Sequence, residues 1–188
     1  MDEATATKDA VLFKPAAAWR VRWNMSTDMP WPKDEATLPN PPEGAPVNYF
    51  IKSAASGAVT LEILASDGKL VRRYSSTDPL PPVPDATTAT VPLHWYRQPR
   101  GLQATAGMHR FYWDMRYQPA ETAAGGRGGG APAIQAIPYN SGPAPTTPLV
   151  APGTYTVRLT VNGKSYTEPI VVKQDPRVKT PALALQQM

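Results

Sequence analysis

Two acidic side chains in predicted strands, Glu62 and Asp114, are the first candidates for chemistry in this sequence. Glycosidases use a pair of carboxyl groups that face one another across a cleft. The other acids considered for such a pair are Asp67, Asp85 and Glu121. Glu62 and Asp114 alternate with apolar residues, which puts each on the polar face of its strand. We expect Glu62 to be solvated or ion-paired and Asp114 to pair with an arginine on a neighbouring strand, and we expect no catalytic residue among these acids.

The two histidines, His94 and His109, lie on different predicted elements, and the chain contains no cysteine. A zinc site requires three or four ligands from histidine, cysteine or carboxylate side chains. Hydrolases with a serine nucleophile often carry it in a G-x-S-x-G turn. That motif does not occur here, and Ser56 lies in an ordinary turn. The sequence therefore predicts no metal site, no nucleophilic enzyme and no cofactor.

Neither the net charge nor the glycine run indicates a nucleic-acid or phosphate site. The formal charge is +4, and no run of lysine and arginine is longer than the pair Arg72-Arg73. Nucleic-acid binding normally requires a clustered basic stripe. The run AGGRGGGAPA at 124–133 lacks the Lys-Ser/Thr of a phosphate-binding loop, and no helical pattern follows it. We interpret it as a flexible loop.

Aromatic residues are the better candidates for binding. Trp31, Trp95 and Tyr96 lie in proline-rich stretches that must be loops. They either form a platform on which sugars stack or anchor the long loops to the domain, and anchoring is the favoured interpretation. Three other tryptophans alternate with charged residues and are predicted to lie in the core: Trp19, Trp23 and Trp113.

The elements that must position these residues are short strands. The chain has 188 residues, 23 of them proline, and this argues against long helices. Apolar residues alternate with polar ones in 19–23, 47–53, 58–65, 69–75, 107–117 and both halves of 153–173. Asp67-Gly68 and Asn162-Gly163 favour tight hairpin turns. The sequence predicts an all-β, antiparallel β-sandwich of the immunoglobulin-like or fibronectin-III-like type, with long Pro/Gly-rich loops.

The predicted domain organisation has three parts. Residues 1–18 are interpreted as a leader or a linker from an upstream domain, 19–175 as a single β-sandwich, and 176–188 as a tail with a helix start. No apolar run is long enough to span a membrane. The N-terminus lacks the basic and apolar regions of a signal peptide.

Several blocks of the sequence resemble a known family. The blocks are LFKPAAAWRVRWN, PPEGAPVNYFIKSAASGAVTLEILASDGKLVRRYSS, GMHRFYWDMRY and APGTYTVRLTVNGKSYTEPIVVKQDPRVKT, in this order. Together they resemble the C-terminal region of large bacterial proteins that carry sortilin-like (VPS10-type) BNR-repeat β-propellers and are described as glycosyl hydrolase-like. The resemblance covers roughly residues 11–182. The propeller repeat itself does not occur in this chain, so no catalytic residue of the family carries over.

The resemblance implies an exported bacterial protein, located in the periplasm, at the cell surface or outside the cell. Within it, this chain would be a non-catalytic accessory module that packs on a β-propeller or spaces it. Two alternatives stay open: a carbohydrate-binding module that uses the loop aromatics, and a subunit of an extracellular assembly joined through exposed strand edges. The sequence also leaves open what a predicted basic face meets, formed by Arg20, Arg22, Arg72, Arg73, Arg110 and Arg116.

Overall fold

The computed structural model describes residues 3–21, 44–80, 100–119 and 147–181, together with positions 34, 85–87, 93 and 184. These residues form one short helix and eight strands. The elements are α1 (Glu3–Ala6), β1 (Ala10–Leu12), β2 (Ala18–Arg20), β3 (Ala45–Ile51), β4 (Thr60–Leu64), β5 (Leu70–Ser75), β6 (Gly107–Trp113), β7 (Gly153–Val161) and β8 (Lys164–Gln174). Within this part of the chain, no helix is long and apolar enough to cross a membrane.

The strands form two sheets that enclose one core. The three-stranded sheet has the order β1-β3-β6, and the five-stranded sheet has the order β2-β8-β7-β4-β5. Aromatic rings meet between the sheets, Tyr74 with Phe111 at 4.7 Å and Trp113 with Tyr155 at 5.6 Å between centroids. The predicted all-β arrangement of two packed sheets is therefore confirmed.

One pairing departs from the predicted antiparallel arrangement. β2 pairs with β8 in parallel, whereas the other pairings are antiparallel. The chain passes from β1 in one sheet to β2 in the other through residues 13–17 without reversing its direction. β2 therefore arrives beside β8 pointing the same way.

Period-two alternation correctly identified most of the strands. In β7, Tyr155, Val157, Leu159 and Val161 are buried, as predicted for one face of the hairpin. Asn162 and Gly163 have φ angles of 48° and 77°, which is the left-handed backbone that a tight primed turn requires. The turn fixes the register of β7 against β8 and so decides which side chains enter the core.

The core prediction is confirmed for Trp113 and wrong for Trp19. Trp113 is fully buried, whereas Trp19 is 50% exposed. Ala18 takes the inward position of β2, so the next residue along the strand must face outward. Trp19 pairs with Lys173, whose ammonium lies 5.4 Å from the indole ring. Trp23 lies outside the described residues.

Two element boundaries also differ from the prediction. β6 ends at Trp113 instead of continuing to residue 117, because Met115 adopts a φ of 55° that a strand cannot accommodate. β1 lies in the segment interpreted as a leader or linker, and it pairs with β3 from Ala10 to Leu12. The N-terminal segment therefore contributes a strand to the three-stranded sheet.

The strand directions give the sandwich two distinct ends. The hairpin end carries Ile51, Ser75 and the β7–β8 turn, and the tyrosine end carries Trp113 and Tyr155. The connections from β2 to β3 and from β6 to β7 begin and end at the tyrosine end. The connection from β5 to β6 begins and ends at the hairpin end.

Candidate interaction surface

The aromatic residues proposed for binding, Trp31, Trp95 and Tyr96, lie outside the described residues. The described strands nevertheless locate where their segments start. Trp31 belongs to the β2–β3 connection at the tyrosine end, and Trp95 and Tyr96 belong to the β5–β6 connection at the hairpin end. The nine residues of β7 separate the two ends by about 30 Å. A platform shared by all three residues therefore requires one connection to run along the sandwich.

The two candidate acids contact arginines in different parts of the molecule. Glu62 Oε2 accepts a hydrogen bond from Arg158 Nε at 2.8 Å on the outer face of the five-stranded sheet. Asp114 Oδ1 accepts from the Tyr74 hydroxyl at 3.1 Å, and Asp114 Oδ2 lies 3.8 Å from Arg72 Nη2. The ion pair predicted as one possibility for Glu62 is confirmed and joins neighbouring strands. The prediction that Asp114 pairs with an arginine on a neighbouring strand is wrong, because Asp114 follows β6 and its partner Arg72 lies in β5 of the other sheet. The two carboxyl groups do not share a cleft.

The other acids in the predicted set have local contacts. Asp67 forms an ion pair with Lys69 at 2.8 Å, and the hydrogen bond that Lys69 donates lowers the pKa of Asp67. Asp85 accepts hydrogen bonds from the backbone and the hydroxyl of Thr87. Glu121 lies outside the described residues. These contacts stabilise local turns and do not bring the acids together in a reaction centre.

The histidine and serine candidates are also engaged locally. His109 Nε2 lies 2.7 Å from the Thr105 carbonyl oxygen, and its ring packs on Tyr49. The Ser56 amide and hydroxyl both contact Asn162 Oδ1 across the hairpin end. In the described ranges, no group of three or more histidines, cysteines and acids could hold a metal ion. His94 and the glycine run 124–133 lie outside those ranges.

The arginines predicted to share one basic face are distributed over three parts of the sandwich. Arg20, Arg72 and Arg116 lie at the tyrosine end, Arg73 on the outer face of the five-stranded sheet and Arg110 on the outer face of the three-stranded sheet. Arg22 lies outside the described residues. The prediction of a single face is therefore wrong for the five described arginines, because strands of both sheets carry them.

The three arginines at the tyrosine end hold separate segments together. The acceptors are Gln174 Oε1 for Arg20 at 3.2 Å, the Tyr117 carbonyl for Arg72 at 3.0 Å and the Thr147 carbonyl for Arg116 at 2.6 Å. Each of these bonds joins residues far apart in the chain. These guanidinium groups therefore have a structural role at this end.

The outer face of the three-stranded sheet carries a continuous apolar row. Val11, Phe50 and Met108 are register partners in β1, β3 and β6, so their side chains lie side by side across the sheet. Phe50 is 8% exposed and Met108 is 53% exposed. We call these three residues the apolar row. It ends at Met108, the most exposed large apolar side chain in the described part of the chain.

Basic side chains border the apolar row. Arg110, the next outward residue of β6, donates from Nε to Asn48 Oδ1 at 2.7 Å. Lys52 follows β3 and is exposed. The outward positions of β1, β3 and β6 carry no acidic side chain. Met, Arg and aromatic residues are the types enriched at protein–protein interfaces.

The outer face of the five-stranded sheet is polar by comparison. Thr60, Thr160 and Ser165 lie in one row, and the hydroxyls of Thr160 and Ser165 are 2.9 Å apart. The next row contains the ion pair between Glu62 and Arg158. A face of this composition remains well hydrated. The exceptions in this sheet are three exposed apolar side chains, Trp19 in β2, Leu70 in β5 and Val171 in β8.

A small pocket lies at the hairpin end. Its volume is about 130 Å³, and its lining includes Asp9, Lys52, Asn162 and Lys164. Lys164 Nζ donates to Asp9 Oδ2 at 2.8 Å, and this hydrogen bond lowers the pKa of Asp9. Sites for small molecules usually have volumes of roughly 300–1,000 Å³. The pocket is therefore a crevice between strands, and an exposed ion pair forms part of its lining.

Comparison of the chain with models of protein families, with curated proteins and with solved structures found no match. The resemblance to sortilin-like BNR-repeat proteins thus stays a prediction from the sequence. The apolar row is the surface feature that the sequence did not predict. The alternation in β3 and β6 placed these residues outside the core but did not show that they lie next to one another.

Proposed function

We propose that this chain is a non-catalytic, immunoglobulin-like accessory module that packs on or spaces a β-propeller domain of an exported bacterial protein. The apolar row of Val11, Phe50 and Met108 is the observation that carries the proposal. Phe50 is buried within the chain and Val11 is half-buried, so Met108 is the exposed member of the row, and its burial by another surface would be favourable. The basic border favours a partner surface with acidic side chains around an apolar centre.

The strand order supports the immunoglobulin-like assignment. In immunoglobulin domains, strands A, B and E lie in one sheet and strands G, F and C lie in the other. The orders β1-β3-β6 and β8-β7-β4 correspond to these two sets. β5 extends the second sheet in the position of strand C′. β1 and β2 together take the place of the first immunoglobulin strand, with one half in each sheet. This division accounts for the parallel pairing of β2 with β8.

A tyrosine in β7 supports the same assignment. Tyr155 lies near the start of the strand, two residues before the fully buried Val157. Its hydroxyl donates to the Ala151 carbonyl at 2.7 Å, four residues upstream. Immunoglobulin domains have a tyrosine corner with this geometry at the start of strand F. A valine then occupies the position of the disulfide-forming cysteine.

The size of the face indicates how a partner would be held. β3 and β6 have seven residues each and β1 has three, so strands spaced by about 4.8 Å give this sheet a face of about 300 Å². A stable interface between separate proteins buries about 800 Å² on each side. The face alone is therefore too small for a tight complex, and it suits a neighbour kept at high effective concentration.

The contacts of the polar candidates support a role without catalysis. Glu62, Asp114 and His109 are each bound to groups of the same chain. We expect the purified chain to hydrolyse neither glycoside nor peptide substrates. Turnover that disappears in Glu62→Gln or Asp114→Asn would overturn this part of the proposal.

Site-specific photo-crosslinking in the source bacterium tests the docking role. A photoreactive amino acid replaces Met108 in one variant and the exposed Thr154, on the opposite outer face, in a matched control. We expect position 108 to crosslink to a peptide that mass spectrometry assigns to a β-propeller sequence. Position 154 should give no such product. Crosslinks from 108 only to other proteins, or equal crosslinks from both positions, would contradict the proposal.

Carbohydrate binding is the second candidate function. One observation favours it: Trp19 is half-exposed beside Val171 and Lys173 on the outer face of the five-stranded sheet. An exposed indole offers a flat apolar surface with a polar edge, which suits a sugar ring. Titration with polysaccharides should then shift the tryptophan fluorescence, and Trp19→Ala should abolish the shift. An unchanged spectrum across diverse glycans would remove this candidate.

A further inference from the structure

The described part of the sandwich has four strand edges of unequal length. β1 and β2 are three residues long, whereas β5 has six residues and β6 has seven. An open edge presents unpaired backbone groups that can bind another strand. Because short edges offer few such groups, only β5 and β6 are long enough to pair well.

A single glutamine covers the edge of β5. The Gln118 backbone amide donates to the Val71 carbonyl at 2.9 Å, and the Arg73 amide donates to Gln118 Oε1 at 3.2 Å. The side-chain carbonyl of Gln118 thus replaces the backbone carbonyl of a neighbouring strand. The register irregularity between Ile63 and Leu64 on β4 disturbs the same region. Natural proteins protect edges by such means, so β5 is closed to strand addition.

The edge of β6 has no comparable cover within the described residues. Phe13 donates to the Asn48 carbonyl and Lys52 donates to the Asp9 carbonyl, so these β3 positions direct their backbone groups toward β1. Backbone direction alternates along a strand, so Tyr49 and Ile51, which alternate with these positions, must bond to β6.

The register between β3 and β6 shows which β6 residues direct their backbone groups toward β3. The β6 residues opposite the bonded positions of β3 are Gly107, His109, Phe111 and Trp113. The backbone groups of Met108, Arg110 and Tyr112 therefore point away from the sheet, toward the open edge. In the described ranges, no residue forms a hydrogen bond with these six groups.

We propose that the β6 edge binds an extended acidic segment of another protein as an added antiparallel strand. The occupant has the pattern apolar-x-acidic-x-apolar. In such a strand, the side chains opposite Met108, Arg110 and Tyr112 lie on the same outer face, where cross-strand pairs interact. An acidic residue opposite Arg110 forms an ion pair, and apolar residues opposite Met108 and Tyr112 extend the apolar row.

The charge of the face selects an acidic occupant. Arg110 is exposed and its Nε is bonded to Asn48, which leaves its remaining donors for a carboxylate. Lys52 adds a second positive charge, and the outward positions of the three strands carry no acid. A basic segment would meet like charge at this edge.

This inference goes beyond the docking role proposed above, because it concerns the edge of the sheet and its backbone groups. A partner that covers only the outer face does not need the amides of Met108, Arg110 and Tyr112. A test that reads these amides therefore separates the two proposals.

The test uses the purified full chain and a synthetic peptide in which valine, glutamate and valine alternate with threonine. Hydrogen exchange followed by NMR reports the three amides of Met108, Arg110 and Tyr112. We expect their exchange to slow by about tenfold when the peptide is added at about 1 mM. A peptide with lysine in place of glutamate should protect them less, and Arg110→Glu should reverse this preference.

Methylated peptides provide the matched control. Methyl groups on the valine and glutamate nitrogens block the bonds to β6, and we expect this peptide not to protect the amides. Methyl groups on the threonine nitrogens point away from β6 in an antiparallel pairing and should leave protection intact. Absence of protection by the unmethylated peptide, or equal protection by both methylated peptides, would overturn the proposal.

Discussion

At the scale of single residues, tyrosine hydroxyls join segments that are distant in sequence. The Tyr49 hydroxyl donates to the Gln103 carbonyl at 2.8 Å and accepts from the Gln103 amide at 2.9 Å. It thereby fixes the segment before β6 to the middle of β3. The Tyr155 hydroxyl similarly fixes the segment before β7.

Burial of Tyr49 makes the fold less stable at alkaline pH. Burial raises the pKa of Tyr49 to about 12, whereas tyrosine in the unfolded chain has a pKa of about 10. Between these values the unfolded state loses the proton first, so the free energy of unfolding falls as the pH rises. Urea unfolding at about pH 8 and pH 11 should show this loss.

Tyr49→Phe is the control for this pH dependence. We expect the variant to be less stable than the parent at pH 8, since two hydrogen bonds are lost, and to lose less stability on going to pH 11. An equal loss in parent and variant would show that Tyr49 does not contribute to the alkaline sensitivity.

The hydrogen bond of the tyrosine corner should contribute measurably to stability. Tyr155→Phe removes the bond to the Ala151 carbonyl and keeps the ring against Trp113. We expect a loss of about 1 kcal/mol in the free energy of unfolding. Tyr112→Phe, on the outer face, is the matched control and should change stability by less than about 0.5 kcal/mol. Equal effects of the two substitutions would contradict this role for Tyr155.

At the scale of elements, the sequence predicted strands wherever alternation extended over at least five residues. β4, β5 and β7 fall within their predicted ranges because each has a clear apolar face, and β3 begins two residues before its predicted range of 47–53. β1 was missed, since its three residues are too short to show alternation. The end of β6 was missed because the positive φ of Met115 depends on tertiary contacts, including the hydrogen bond from Val150 to its carbonyl.

Removal of the glutamine that covers β5 should convert a protected edge into an open one. Gln118→Pro abolishes both the amide donor to Val71 and the side-chain acceptor for Arg73. We expect the variant to self-associate with increasing concentration, as light scattering would show. Gln103→Ala is the control, because its side chain bonds only to the nearby Gly101 carbonyl. A Gln118→Pro protein that scatters light like this control would contradict the protective role.

At the scale of the whole molecule, the strand directions determine at which end of the sandwich each long connection begins and ends. The β2–β3 and β6–β7 connections begin and end at the tyrosine end, and the β5–β6 connection begins and ends at the hairpin end. The outer face of the three-stranded sheet lies between the two ends.

The apolar row could not have been predicted from the sequence alone. Val11, Phe50 and Met108 come from strands that are far apart in the chain, and only the register of β1, β3 and β6 brings them together. Each residue by itself is an ordinary outward position. The two-sheet fold, in contrast, followed from alternation and turn residues, which are local properties.

The central claim is that the outer face of the three-stranded sheet docks on a neighbouring domain. The most direct measurement is the affinity of the chain for the β-propeller that crosslinking at position 108 identifies, by an NMR titration that can measure the weak binding expected of so small a face. Met108→Glu should weaken binding by at least about tenfold, since it places a charge in the apolar row. Thr154→Glu, at an exposed position on the opposite face, should change the affinity by less than about twofold. An equal effect of both variants, or a larger effect of Thr154→Glu, would contradict the claim.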